Sequence, residues 1–238
     1  MSAPLLVLDG VTAGYRGRMV LRDLAMSVGD GSFVAIIGPN GHGKTTLLRA
    51  ISGLLPLASG SISLDGQRLE RLRADEVVGA GIVHVPQGDM LFPEMTVLEN
   101  LRMGAYLPAA AARMAESLDM VFGLLPKLAE RQGQVASTLS GGERRMVGIG
   151  RGLMAGGRVL MLDEPSLGLA PIVIDQIYEV IGRLRASGRT VLLVEENAGR
   201  VVDSADHIYL LDNGQFVWDG VGAELMSRPE IVETYLGG

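Results

Sequence analysis

The sequence predicts an α/β fold: a mostly parallel sheet with helices on its faces, interrupted by a helical insertion. Three observations predict it. Phe33–Ile37 and Val159–Leu162 are short, continuous apolar runs, as strands buried on both faces are. Strand-like and helical segments alternate through the last third of the chain. The first apolar run leads directly into a glycine-rich turn and then a helical run, Leu47–Ser52.

Taken in order, Leu5–Val11 and Val20–Val28 read as strands separated by the turn-rich residues 13–18. Ser61–Leu64 is strand-like and turns at Asp65-Gly66, and Ile82–Val85 is a short strand stopped by Pro86. From about Thr96 to Ala129 the chain is rich in Ala, Leu, Met and Glu, with breaks at Pro108 and Pro126, a helical composition. Ile174, Ile177, Ile181 and Leu184 recur as one helix face. Thr190–Val194 and Ile208–Leu211 complete the strands.

Composition narrows the function. A length of 238 residues with 47% apolar residues suits one large domain. The net charge of −6 argues against sequence-blind nucleic-acid binding, so no nucleic-acid partner is expected. No Cys is present, which excludes disulfides and thiolate chemistry. The three histidines, His42, His84 and His207, are too far apart in sequence to suggest a metal site. Mean hydropathy is high at +0.29, yet no apolar run reaches the ~18–20 residues of a membrane span. The N-terminus lacks the basic flank of a signal peptide, so a soluble, cytoplasmic chain with apolar surface for a partner is expected.

Gly38, Pro39, Asn40, Gly41, His42, Gly43, Lys44, Thr45 and Thr46 form a P-loop pattern between a buried strand and a helix. Backbone N–H groups of such a loop curl around phosphate oxygens, and the helix points its positive end at them. Lys44 would neutralise the β/γ-phosphates, and the Thr45 hydroxyl is placed to ligate Mg2+. A second strand, Val159–Leu162, ends in Asp163 and Glu164. Ligand crevices lie at such carboxyl ends. Asp163 is therefore the expected Mg2+ partner and Glu164 the general base for an attacking water. Ser140, Gly141, Gly142 and Glu143 precede a helical stretch and offer a further anion site.

Those three motifs, in that order, resemble the ABC transporter ATPases over essentially the whole chain. The resemblance implies a P-loop NTPase core with an N-terminal antiparallel β subdomain, and a helical subdomain at about residues 88–155 of a single domain. It implies ATP and Mg2+ as cofactors and a head-to-tail dimer, with the chain itself or a homologous one, in which Ser140–Glu143 meets the partner's ATP. Tyr15 would stack on adenine, and Gln87 would contact Mg2+ and couple to the membrane partner. Ser166-Leu167-Gly168-Leu169 looks like the turn that touches the partner subunit. At the place where most members carry a His that senses the γ-phosphate, this chain has Glu196, within Val194-Glu195-Glu196-Asn197. That stretch, with Val85-Pro86-Gln87-Gly88, Ser166–Pro171 and Tyr235–Gly238, is similar to the LivF type, from importers of branched-chain amino acids.

The implied role is hydrolysis of ATP to power import, at the cytoplasmic face of the membrane. The implied partners are integral permease subunits and, indirectly, a solute-binding protein. A subunit for urea or short amides, an export ATPase, and a soluble switch without a permease are the alternatives. Met90, Leu91, Phe92 and Met95 are candidates for the permease surface. His42, where the family usually has Ala or Ser, is expected to point outward with little effect.

Overall fold

The computed structural model describes residues 3–88, 90–196, 198–231 and 233–234. Asn197 and Tyr235–Gly238, quoted for the resemblance, lie outside them. The chain opens with a hairpin of β1 (Leu6–Tyr15) and β2 (Arg18–Val28), then enters β3 (Phe33–Ile37) and α1 (Lys44–Ile51). β4 (Leu57–Leu64), β5 (Gln67–Arg68), α2 (Ala74–Ala80) and β6 (Ile82–Val85) follow. Five helices come next: α3 (Val97–Gly104), α4 (Pro108–Ala111), α5 (Met114–Leu124), α6 (Pro126–Glu130) and α7 (Gly141–Met154). β7 (Val159–Asp163), α8 (Pro171–Ala186), β8 (Thr190–Glu195), β9 (His207–Asp212), β10 (Gln215–Gly220) and α9 (Gly222–Met226) finish the fold.

Two sheets result. The four-stranded one is antiparallel, in the order β2-β1-β4-β5, and the six-stranded one runs β10-β9-β3-β8-β7-β6. In the second, all neighbours are parallel except the β10–β9 pair. Its central strands are apolar throughout because both faces are covered. Along β3, Val34 and Ile36 pack with α1 and the antiparallel sheet, while Phe33, Ala35 and Ile37 pack with α7 and α8. β7 divides in the same way, with Val159 and Met161 to one side and Leu160 and Leu162 to the other. Successive side chains point to opposite faces, so one strand serves two cores.

Several boundaries differ from the sequence expectation for physical reasons. β1 runs on to Tyr15 through register shifts at Val11 and Ala13, which let a glycine-containing stretch stay paired with β2. Pro108 and Pro126 do break the helical stretch, but each also sits at the start of the next helix, where its missing N–H costs nothing. Asp163 and Glu195 belong to their strands rather than to the loops beyond. The hairpin strand β10 and helix α2 had no clear signal in the sequence.

Asn100, on α3, joins the helical segment to the loop that leads into it. It is fully buried. Its Oδ1 accepts from Phe92 N at 2.9 Å, and its Nδ2 donates to the carbonyls of Phe92 (3.0 Å), Met95 (3.3 Å) and Thr96 (3.0 Å). One side chain thereby satisfies the backbone of a whole turn. Asn100→Ala should cost about 2–4 kcal/mol, because it leaves Phe92 N without its acceptor as well as removing one of the two donors on each of the three carbonyls. Urea denaturation will read this as a lower midpoint with an unchanged m-value.

Candidate functional site

The loop from β3 into α1 is shaped by glycine at two places. A Cβ on Gly38 would lie 2.1 Å from Leu211 O at the end of β9, so no larger residue fits that crossing. Gly43 has φ +112° and stands at the N-cap of α1, with no side-chain cap and no acid in the first turn. The N–H groups at the head of α1 are thus left for an outside acceptor. Pro39, Asn40, Gly41 and His42 form the arch between these glycines, and Thr45 and Thr46 lie in the first turn.

Lys44 is buried at 3% exposure. Its ammonium donates to Gly38 O at 2.8 Å, Pro39 O at 3.1 Å and Asn40 Oδ1 at 3.3 Å. It also pairs with Glu164 Oε1 at 3.1 Å. The charge is therefore held at the centre of its own loop, against a carboxylate from another strand.

That carboxylate arrives from β7. Asp163 is the last residue of the strand, in register with Val194 on β8. Its Oδ1 accepts from Thr45 Oγ1 at 3.2 Å, while its Oδ2 is buried with no hydrogen-bond partner. Burial pushes the Asp163 carboxyl above the usual range; the Thr45 hydrogen bond and the Lys44 charge pull the other way. Glu164 follows with φ +45°, the left-handed region that a residue with a side chain rarely adopts. Its Oε2 accepts from Gln87 Nε2 at 3.2 Å, so Gln87, Glu164 and Lys44 form one chain of contacts. Thr45, Gln87 and Asp163 line a single cavity of about 390 Å³. A hydroxyl, an amide and a carboxylate with an unpartnered oxygen are donors suited to a hard divalent cation such as Mg2+. His84, on β6, borders the same cavity; burial, aided by the charge of Arg49, pushes its pKa down to about 4.

Other expected residues fall at varied distances from this centre. Glu196 is exposed, and its Oε2 accepts from Asn40 Nδ2 at 2.7 Å, which places it on the P-loop itself. Tyr15 ends β1 with 40% exposure, and its hydroxyl accepts from Arg49 of α1 at 3.4 Å. Ser140 caps α7. Glu143 N donates to its hydroxyl, and the Glu143 carboxylate takes both the Ser140 N–H (2.9 Å) and the Ser140 O–H (2.7 Å). Gly142 lies so near α8 that a Cβ would meet Val173 at 2.5 Å. Gly141 opens the helix. The hydrogen bonds of Ser140 and Glu143 stay within this cap, and the ion pair of Glu143 is with Arg131. None of these contacts reaches the P-loop of the same chain.

His42 departs from expectation. Its Nδ1 lies 2.6 Å from Asp212 Oδ1, and the turn after β9 presses on it through Gly214 N, which donates to His42 O at 3.0 Å. The side chain stays partly exposed, yet its contact with Asp212 fastens the P-loop to β9.

Two further groups make contacts that the sequence does not assign to them. Arg145 of α7 is buried, and its guanidinium donates to the carbonyls of Gly88 and Pro86, fixing the turn that bears Gln87. Glu195, also buried, accepts from Ser166 N at 3.2 Å and Ser166 Oγ at 2.9 Å, with the Tyr178 hydroxyl nearby. An Arg in a polar helical stretch and the first of two adjacent Glu residues look like solvated surface until the partners are known.

Known proteins resemble the chain in sequence and in fold. Residues 21–167 match the ABC transporter family. The chain is similar to the high-affinity branched-chain amino acid transport ATP-binding protein BraG of Pseudomonas aeruginosa, 43% identical over 98% of this chain and all of that protein. It is 35% identical to a probable branched-chain amino acid transport ATP-binding protein, LivF, of Archaeoglobus fulgidus, over 95% of this chain and 96% of that one. Among solved structures it is similar to the ADP conformation of an ATP-binding cassette of an ABC transporter. There the TM-score is 0.87 and the identity 30%, with both chains covered fully.

Burial raises the Glu195 carboxyl above its ordinary 4.5, so the folded chain holds that proton more tightly than the unfolded one. The stabilisation this brings is present below pH 4.5 and is lost as the pH rises through the raised folded value. Glu195→Gln has no such proton to lose. Its Tm should fall less than that of the wild type between about pH 5 and about pH 8, which parallel melting curves will read.

Proposed function

The chain belongs to the ABC transporter ATP-binding family, and on that premise we propose that it is the ATP-hydrolysing subunit of an importer for branched-chain amino acids. The observation that carries the reading is the buried Lys44–Glu164–Gln87 chain set directly behind the P-loop, beside Asp163 and Thr45. The solute class rests on the names of relatives that match the chain over nearly all its length.

The triphosphate lies against Gly38–Thr46, taking hydrogen bonds from the N–H groups at the head of α1. Lys44 exchanges its own-loop carbonyl partners for the β/γ-phosphate oxygens. Tyr15, beside α1, stacks on the adenine. Thr45, Asp163 and Gln87 hold Mg2+, which when bound neutralises charge on the phosphates. Glu164 takes a proton from the water that attacks the γ-phosphorus, as the bond to the bridging oxygen breaks and ADP leaves. Glu196, tied to the loop through Asn40, reports on the γ-phosphate end. Catalysis here is positioning and charge neutralisation, with no covalent intermediate.

One chain holds half of each site. Ser140–Glu143 presents the head of a 14-residue helix away from its own P-loop and meets the ATP of a second subunit. The helical segment of about residues 88–155 forms a subdomain that carries motion outward from Gln87. Met90 and Phe92 are exposed there beside Met103 and Tyr106, and this apolar face docks on a permease at the cytoplasmic side of the membrane. No helix among the described residues is long and apolar enough to cross a membrane.

Two variants test the chemistry. Lys44→Ala removes charge-assisted bonds of roughly 1.5–3 kcal/mol, so ATP should bind at least about tenfold more weakly and turnover should vanish. Unchanged ATP affinity in the folded variant would refute the site. Glu164→Gln should keep ATP binding, lower turnover by about 100-fold or more, and accumulate dimer on size exclusion with ATP. Uptake of labelled leucine by cells carrying Lys44→Ala tests the solute class: it should be lost, and loss of urea uptake instead would move the assignment.

A further inference from the structure

Among the described residues two buried side-chain atoms lack a hydrogen-bond partner, His84 Nε2 and Asp163 Oδ2, and they face each other at 4.0 Å. Ser52 determines which ring nitrogen of His84 carries the proton. The Ser52 hydroxyl donates to Leu48 O at 2.7 Å, so its oxygen is left to accept from His84 Nδ1 at 3.0 Å. With the ring proton on Nδ1, Nε2 of the neutral imidazole is a lone pair. Asp163 Oδ2 is an acceptor too. The gap between them is too wide for a direct hydrogen bond, and it suits a single oxygen that donates one proton to each. Two bonds of ~2.8 Å across it meet at roughly 90°. Both residues wall the cavity that Thr45 and Gln87 line.

We propose that His84 is a positioning residue for the metal, accepting through Nε2 a hydrogen bond from a water ligand of Mg2+ whose other proton goes to Asp163 Oδ2. This rests on the nucleotide reading above. The imidazole holds the carboxylate in one rotamer and aims the lone pair of that water at the cation. Groups that orient metal ligands in this way commonly change metal affinity by about 10–100-fold when removed.

The test uses the full chain loaded with ADP, with Mn2+ as the metal probe. Nitrogen-15 spectra of the three histidines should show His84 with its proton on Nδ1, and Mn2+ should broaden His84 but not His207. His84→Leu should bind Mn2+ about tenfold more weakly by electron paramagnetic resonance titration, with ADP affinity in the absence of metal unchanged. His84→Gln, which keeps an acceptor oxygen, should recover affinity to within about twofold of the wild type. A proton on Nε2, a Leu variant that binds Mn2+ as the wild type does, or a Gln variant as weak as the Leu one would each overturn the proposal. If His84→Leu does not fold, the wild-type spectra and the Gln variant still decide it. A wild-type chain that binds no ADP would overturn the nucleotide site itself, a failure that the wild-type ADP titration alone reveals.

Discussion

A buried ammonium paired with a buried carboxylate is the constraint around which the other parts of this molecule are arranged. Lys44 and Glu164 are 3% and 6% exposed, and taking two such charges from water is costly unless each is fully surrounded by partners. The carbonyls of Gly38 and Pro39, the Asn40 amide and the Gln87 amide supply those partners. They come from the ends of three parallel strands: β3 gives the loop, β7 the acid and β6 the glutamine. β6 and β7 are neighbours and β8 separates β7 from β3, so the charges meet across an intervening strand, and the sheet order and the site are one requirement. The same arrangement explains why Glu164 tolerates a left-handed backbone: its N–H is fixed to Val194 O at 2.9 Å and its carboxylate to Lys44.

Burial elsewhere follows from the same sheet. β3, β7 and β8 divide their residues between two cores, and the helical segment closes one of them through Val97, Leu101, Val121 and Val147. Arg145 reaches from that segment to the carbonyls around Gln87. A helix distant in sequence from the P-loop is thereby attached to the glutamine that touches Glu164.

What could be read before the structure was known was whatever a local pattern encodes. The apolar runs of β3 and β7 announce strands covered on both faces, and the glycines and Lys44 between a strand and a helix announce a phosphate loop. Long-range partnership is not encoded locally. Glu195 takes its meaning from Ser166, 29 residues earlier, and from Tyr178. His42 resembles a free loop residue until the turn after β9 is placed against it, 170 residues on. β10 alternates exposed and half-buried positions too weakly to stand out, since it is an edge strand of the sheet.

The end of β8 carries two successive carboxylates turned toward different neighbours. Glu196 reaches Asn40 on the P-loop side and Glu195 holds Ser166 on the β7 side. A strand has no means of moving one residue without the next, so these two attachments share a single pivot. Inserting one residue in β8 would carry the first acid to the exposed place that Glu196 holds, and deleting one would carry the second into the buried place that Glu195 holds. The length of this strand is therefore under tighter constraint than its composition. Aliphatic residues along it can replace one another, whereas its count of residues sets which acid faces the loop and which faces the turn.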